Sequence, residues 1–297
     1  MLPAVSISEN INDWLLQASH LHVLHATEKV INLFTDTGKL VSLVPRSVGN
    51  GPHNIVVPIK RFDSPPTTQD PVTWNGSAIN VDGFTVELST ASTWKAEPDW
   101  PVIQASRDRI QQAVPQFVDQ LRIWTPDRGV LSLLGEHESS PMSINRHFVD
   151  ALVEPGRAVV SGLQQTDLDR TVAGALDIAG VGTGLTPAGD DFLSGVMLAC
   201  WAGFCDPEML PHLPLIALRA GQKTTPISAA YLASAAKGQF GVIWHLLLEH
   251  IIQRDTQQTT RIMKQIVRIG HNSGAYTLTG FLRLTAESYA AVCAKWE

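Results

Sequence analysis

The chain has 297 residues, 44% of them apolar and 17% charged, with a formal net charge of −6. That balance excludes a disordered chain and supplies enough apolar surface for one large domain or two ordinary ones. No run of Lys or Arg offers the positive stripe a nucleic-acid backbone requires, and no stretch reaches the roughly 18 apolar residues of a membrane span, so neither partner is expected.

From His20 to about Leu88 the chain reads as short strands. Val30 to Phe34 and Leu40 to Val44 flank the turn Asp36-Thr37-Gly38, and Asn75-Gly76 and Asp82-Gly83 mark two further tight turns. Arg46 to Asn54 is a glycine-bearing polar loop, read as a turn that gains interest only if the β module covers a ligand site. Between Thr90 and Pro101 the composition turns to Ser, Thr, Pro, Trp and charge, which sets a domain boundary. The expectation is an α+β fold: a mainly antiparallel β module over 1–100 and a mostly α-helical domain over 101–297.

In the second part, Arg107 to Trp124 has helical spacing with Pro115 as an expected kink. Ser143 is placed as the cap of a helix bearing Phe148 and Leu152 that ends near Gly156. Phe240 through Ile252 paints one helix face. Leu278, Leu282, Thr285, Tyr289, Val292 and Trp296 form a narrow seam on the last helix. Cys200, Cys205 and Cys293 lie in apolar surroundings without metal-ligand spacing and read as reduced core thiols. With no export signal in the first residues, a cytoplasmic location is expected.

Three polar helix starts carry the candidate chemistry. Ala179 to Gly195 holds five glycines and a proline and contains the start of an apolar helix that opens on Asp190-Asp191. Glycines let main-chain N–H groups approach a ligand, and a helix N-terminus favours anions, so Gly182, Gly184 and Thr186 are candidate anion binders. The two carboxylates oppose an anion unless a cation such as Mg²⁺, or an amide or ammonium donor, lies between, which makes Asp190 and Asp191 candidate catalytic or metal-binding groups. The competing reading is that one of them merely caps the helix. No Lys-Ser/Thr follows the glycines, so this is not a Walker A loop, and the spacing is not that of a dinucleotide fold.

The second start is Thr224 to Ser228, with Thr225 as cap, Pro226 in the first turn, and Thr224 and Ser228 as further candidate ligand hydroxyls. The third is Gly270 to Thr277, where Asn272 or Ser273 caps and His271 is the candidate for proton transfer. The other histidines show no zinc-type spacing.

Taken together, G-x-G-x-G-L-T-P-x-G-D-D-F-L-S-G, T-T-x-I-S-x-x-Y-L-x-x-A-x-x-G-x-F and G-H-x-S-G-x-x-T-L-x-G-F resemble the AllH-type family, and the resemblance extends to Val30 through Pro52. It implies a subunit of oxamate carbamoyltransferase, which phosphorolyses oxalurate to oxamate and carbamoyl phosphate in allantoin degradation, with a partner subunit similar to acyl-CoA synthetases. Where that pattern carries an acidic residue this chain has Tyr276, which leaves room for a related substrate. Two other readings stand beside it: a non-catalytic assembly subunit, and a stand-alone Mg²⁺-dependent hydrolase or small-molecule sensor.

Overall fold

The computed structural model describes residues 1–124, 129–134 and 146–293. The chain divides into two compact units, Met1–Pro98 with Gln239–Val242, and Asp99–Gly238 with the residues from Ile243 onward. No helix among the described residues is long and apolar enough to cross a membrane.

The first unit holds ten strands, β1 (Leu2–Pro3), β2 (Ser6–Ser8), β3 (Leu21–Thr27), β4 (Val30–Thr35), β5 (Leu40–Pro45), β6 (Asn54–Val57), β7 (Val72–Trp74), β8 (Ala78–Val81), β9 (Phe84–Glu87) and β10 (Ser92–Trp94), with α1 (Ile11–Gln17) after β2. They form a six-stranded sheet in the order β10-β2-β6-β5-β4-β3 and a four-stranded sheet in the order β1-β9-β8-β7. Five of the pairings are antiparallel, and three, β1 with β9, β10 with β2 and β5 with β6, are parallel. Three of the pairings beyond the hairpins involve β1, β2 or β10, strands of two or three residues and too short to show alternation, which is why periodicity did not locate them. β5 and β6 are buried along their whole length, and Ile7, Ile11, Leu15, Ile31, Leu33, Leu43, Ile55 and Ile79 fill the core of the unit.

The loop Arg46 to Asn54 is held within this unit. Asn54 Nδ2 donates to Gly49 O at 2.8 Å, and Asn50 O accepts from Val242 N at 2.9 Å, which fastens Gln239–Val242 to the β unit. Phe240 N likewise donates to Ala96 O at 2.9 Å, so Phe240 does not open the helix face that its spacing suggested. That helix starts at Val242.

The second unit contains α2 (Trp100–Ala105), α3 (Arg107–Trp124), α4 (Gly129–Ser132), α5 (Arg146–Gln165), α6 (Leu168–Ile178), α7 (Ala188–Ala199), α8 (Leu213–Gly221), α9 (Pro226–Ala235), α10 (Val242–Ile252), α11 (Thr256–Ile266) and α12 (Ser273–Cys293). Side chains from single polar residues set several starts: Asp99 accepts from Val102 N, Asp167 from Arg170 N, Thr225 from Ser228 N and Asp255 from Gln258 N. α3 is one helix across Pro115, and α5 runs through Pro155 and Gly156 rather than ending there. Ser143 and Trp296 lie outside the described residues, as do the side chains of Phe148, Tyr289, Val292 and Cys293.

At the centre of this unit α7 and α12 cross backbone to backbone. A Cβ on Gly195 would stand 1.8 Å from Thr277 O, and one on Gly280 would stand 2.0 Å from Phe192 O. Two reciprocal glycines therefore permit a crossing that any side chain would hold apart. α7, and α12 over residues 273–286, are enclosed on most sides: Phe192, Leu193, Val196 and Leu198 on α7, and Leu278, Phe281, Leu282 and Leu284 on α12, are all buried. Over that stretch α12 is buried well beyond a single narrow seam. Its buried threonines satisfy themselves, Thr279 on Ala275 O at 2.8 Å and Thr285 on Phe281 O at 2.7 Å.

Candidate functional site

The crossing brings the N-termini of α7 and α12 side by side, and α9 joins them. Asp190, 1% exposed, accepts from Gly180 N at 3.0 Å on Oδ1, and on Oδ2 from Ser228 Oγ at 2.7 Å and from Thr224 Oγ1. It caps none of α7's own amides; α7 begins on Pro187 without a side-chain cap. The simple capping reading of Asp190 therefore fails, and a different structural role takes its place: one carboxylate ties the glycine loop, α7 and α9 together.

Asp191 faces the other way, toward the hydroxyls of Ser273 and Thr186. Those hydroxyls also bond each other at 2.9 Å, linking the loop to the head of α12. Thr225 spends its oxygen twice, accepting from Ser228 N as a cap and donating to Leu185 O. Of the predicted residues, Asp190, Asp191, Thr186, Thr224, Thr225, Ser228 and Ser273 thus form one connected cluster. Asn272 and His271 sit at its margin: Asn272 O accepts from Tyr276 N, and His271 is exposed without a hydrogen bond among the described residues. Tyr276 is buried, 5% exposed, one turn into α12.

The two carboxyl groups differ in environment. Burial raises the Asp190 pKa, against which its two hydroxyl donors and Gly180 N–H pull it back. Asp191 is pushed up to about 8, first by burial and then, in the same direction, by the charge of Asp190; the Ser273 and Thr186 hydroxyls act the other way. Three donors converging on Asp190 favour its ionised form, and a second negative charge beside it is disfavoured, so of the two carboxyls Asp191 holds a proton more firmly. A carboxylic acid at this position donates a hydrogen bond and does not repel an anion.

The loop between Gly180 and Pro187 reaches solvent beside this pair. Gly182, at φ +123°, has no room for a Cβ, which would meet Ala188 N at 2.6 Å, whereas Gly184, at φ +96°, borders open space. The amides of Gly182, Thr183, Gly184, Leu185 and Thr186 donate to no group among the described residues. Five consecutive N–H groups without a partner among the described residues lead into a helix start, an arrangement chemically able to accept an anion.

A cation fits less well. Asp190 has given Oδ2 to two hydroxyls and Oδ1 to an amide, the pKa of Asp191 is raised to about 8, and no group of three His, Cys, Asp or Glu among the described residues could hold a metal ion. Sequence reasoning found this cluster from its glycines and its helix starts. It missed the Gly180 amide as a partner of Asp190, and nothing short of the fold reveals that contact.

The family model described as oxamate carbamoyltransferase subunit AllH matches residues 178–285, and that of the AllH family N-terminal domain matches residues 4–93. The chain belongs to the AllH family. The first match spans the glycine loop, α7, α9 and the head of α12, so the whole cluster around Asp190 lies inside the AllH region, while the AllH N-terminal domain covers the β unit. No solved structure matches the chain.

Proposed function

We propose that this AllH chain is the anion-binding subunit of an oxamate carbamoyltransferase-like enzyme, moving a carbamoyl group between oxalurate or oxamate and phosphate in allantoin and purine breakdown. The observation that carries the reading is the run of amides from Gly182 to Thr186, unpaired among the described residues, beside the buried Asp191 carboxyl, whose pKa burial raises. In this reaction a phosphate oxygen attacks the carbamoyl carbon of oxalurate, the bond to the oxamate nitrogen breaks, and that nitrogen takes a proton. Phosphate, carboxylate and tetrahedral oxyanion all need fixed N–H donors, and the Gly182, Gly184 and Thr186 amides supply them. Asp191 supplies a neutral donor and Asp190 holds the loop in place through Thr224 and Ser228. Exposed His271, two residues before Ser273, is the candidate proton carrier, with Asn272 beside it. An acyl-CoA-synthetase-like chain is the expected partner, and the location cytoplasmic.

The test is carbamoyl phosphate formation from oxalurate and phosphate by the chain co-expressed with such a partner. Gly184→Ala, which meets no neighbouring atom but strains the loop, should raise the phosphate KM about tenfold or more; an unchanged KM with Gly184→Ala and Asp191→Asn together removes the site.

One observation favours a second reading, an assembly subunit without chemistry: Asp190 is wholly engaged by protein donors and 1% exposed. Calorimetric titration of the isolated chain with phosphate, carbamoyl phosphate and oxamate separates the two, since a scaffold binds none.

A further inference from the structure

Within the helical unit, α3 and the α10–α11 turn border an open depression of about 310 Å³ that shares no residue with the glycine loop and whose lining includes Arg109, Gln112, Gln116, His250, Arg254 and Thr256. That volume is at the lower end of small-ligand sites. Arg109 Nη1 donates at 2.7 Å to Ile252 O, a neutral acceptor, and neither Arg109 nor Arg254 has an ion pair among the described residues. Asp255, the neighbouring carboxylate, makes no ion pair with Arg254: Oδ1 accepts from Gln258 N at 3.0 Å and Oδ2 lies 3.7 Å from His250 Nδ1.

Arg254 is placed there at a backbone cost. α10 ends with Arg254 N on Ile251 O and Asp255 N on His250 O, both 3.0 Å, and Arg254 itself at φ +60°, a position that glycine fills without strain. An arginine in that slot projects a guanidinium without an ion pair among the described residues, in a chain whose net charge is −6. Gln112 and Gln116 add amide donors from α3, and Thr256 a hydroxyl from the first turn of α11.

We propose that this depression is a second binding site, for a small oxyanion gripped between the Arg109 and Arg254 guanidinium groups. Two forks of donors, one from α3 and one from the α10–α11 turn, suit a carboxylate or phosphate oxygen set, and the glutamine amides orient the rest of the molecule. The site stands independently of the loop: its ligand is held by side chains and not by main-chain amides.

The full-length chain is titrated calorimetrically with inorganic phosphate and with malonate at constant ionic strength, alongside Arg254→Gln and Gly184→Ala. At least one anion should saturate, and which one does so names the class. Arg254→Gln, on an exposed residue, should weaken it roughly tenfold to a hundredfold with an unchanged unfolding temperature, while Gly184→Ala leaves it intact. The proposal is overturned if neither anion saturates, if Arg254→Gln binds like the parent, or if Gly184→Ala alone abolishes binding, which would assign the anion to the loop. A loop site that fails leaves one equivalent sensitive to Arg254 only, so the two readings fail separately.

Discussion

In the β unit, Gly38, Gly76 and Gly83 sit at φ +77°, +93° and +82° with no heavy atom within 4 Å of where a Cβ would stand. In the helical unit, Gly195 and Gly280 lie inside helices, yet a Cβ on either would stand 2.0 Å or less from a carbonyl oxygen of the other helix. The first set answers to backbone conformation and the second to interhelical space. Turn glycines fix a local path, whereas crossing glycines decide how closely two helices approach and thereby where Asp190, Asp191 and Ser273 meet.

The sharpest break comes at that crossing. Gly195→Ala or Gly280→Ala forces α7 and α12 apart by more than an ångström across a region filled by Phe192 and Phe281, both at most 1% exposed. A loss on the order of 4 kcal/mol or failure to fold is expected, read from urea unfolding or soluble yield. Wild-type stability in either variant would mean that the helices do not pack as described.

Next comes Asp190→Ala, which strands Gly180 N–H and the Thr224 and Ser228 hydroxyls in a buried place. Destabilisation of roughly 3 kcal/mol is expected from the lost partners and the space left behind. If Asp190 were instead a solvent-facing ligand group, the variant would lose binding and keep its stability.

Asp191 gives a pH signature of the opposite sense. Its pKa is raised from 3.8 to about 8 in the folded chain, so between those values the native state holds a proton that the unfolded state has released. Stability from this group is therefore present in full at acid pH, declines as pH rises from about 4 toward 8, and is level beyond. Asp191→Asn imitates the protonated form, so its unfolding temperature should exceed that of the parent by a few degrees near pH 8, with the gap closing toward pH 4. A pH-independent gap would show that Asp191 ionises normally.

Much of this was legible beforehand, for identifiable reasons. Asn75-Gly76 and Asp82-Gly83 announce turns because the dipeptide itself sets the backbone, and the three polar helix starts stand out because their caps and glycines are local in sequence. The α+β division followed from the same signals. What escaped depended on distant partners: the parallel pairing of β10 with β2, the return of Gln239–Val242 to the β unit, and the meeting of Gly195 with Thr277. Helical glycines in Ser194-Gly195-Val196 and Thr279-Gly280-Phe281 carry no mark that separates close packing from tolerated weakness. The raised pKa of Asp191 likewise follows from burial, which spacing does not report.

The smallest effect tests the comparison itself. Gly76→Ala meets no neighbouring atom, so only the left-handed backbone is penalised, by about 1 to 2 kcal/mol. Asn tolerates that conformation better than Ala, so Gly76→Asn should recover a good part of the loss. At Gly195 the order must invert, because there the atoms and not the dihedral angle are at fault: Asn adds more bulk than Ala to a gap that holds neither. Urea midpoints for the four variants give the ranking directly. Asn milder than Ala at 76 and harsher than Ala at 195 is the expected pattern, and the same order at both positions would mean that one constraint governs both kinds of glycine.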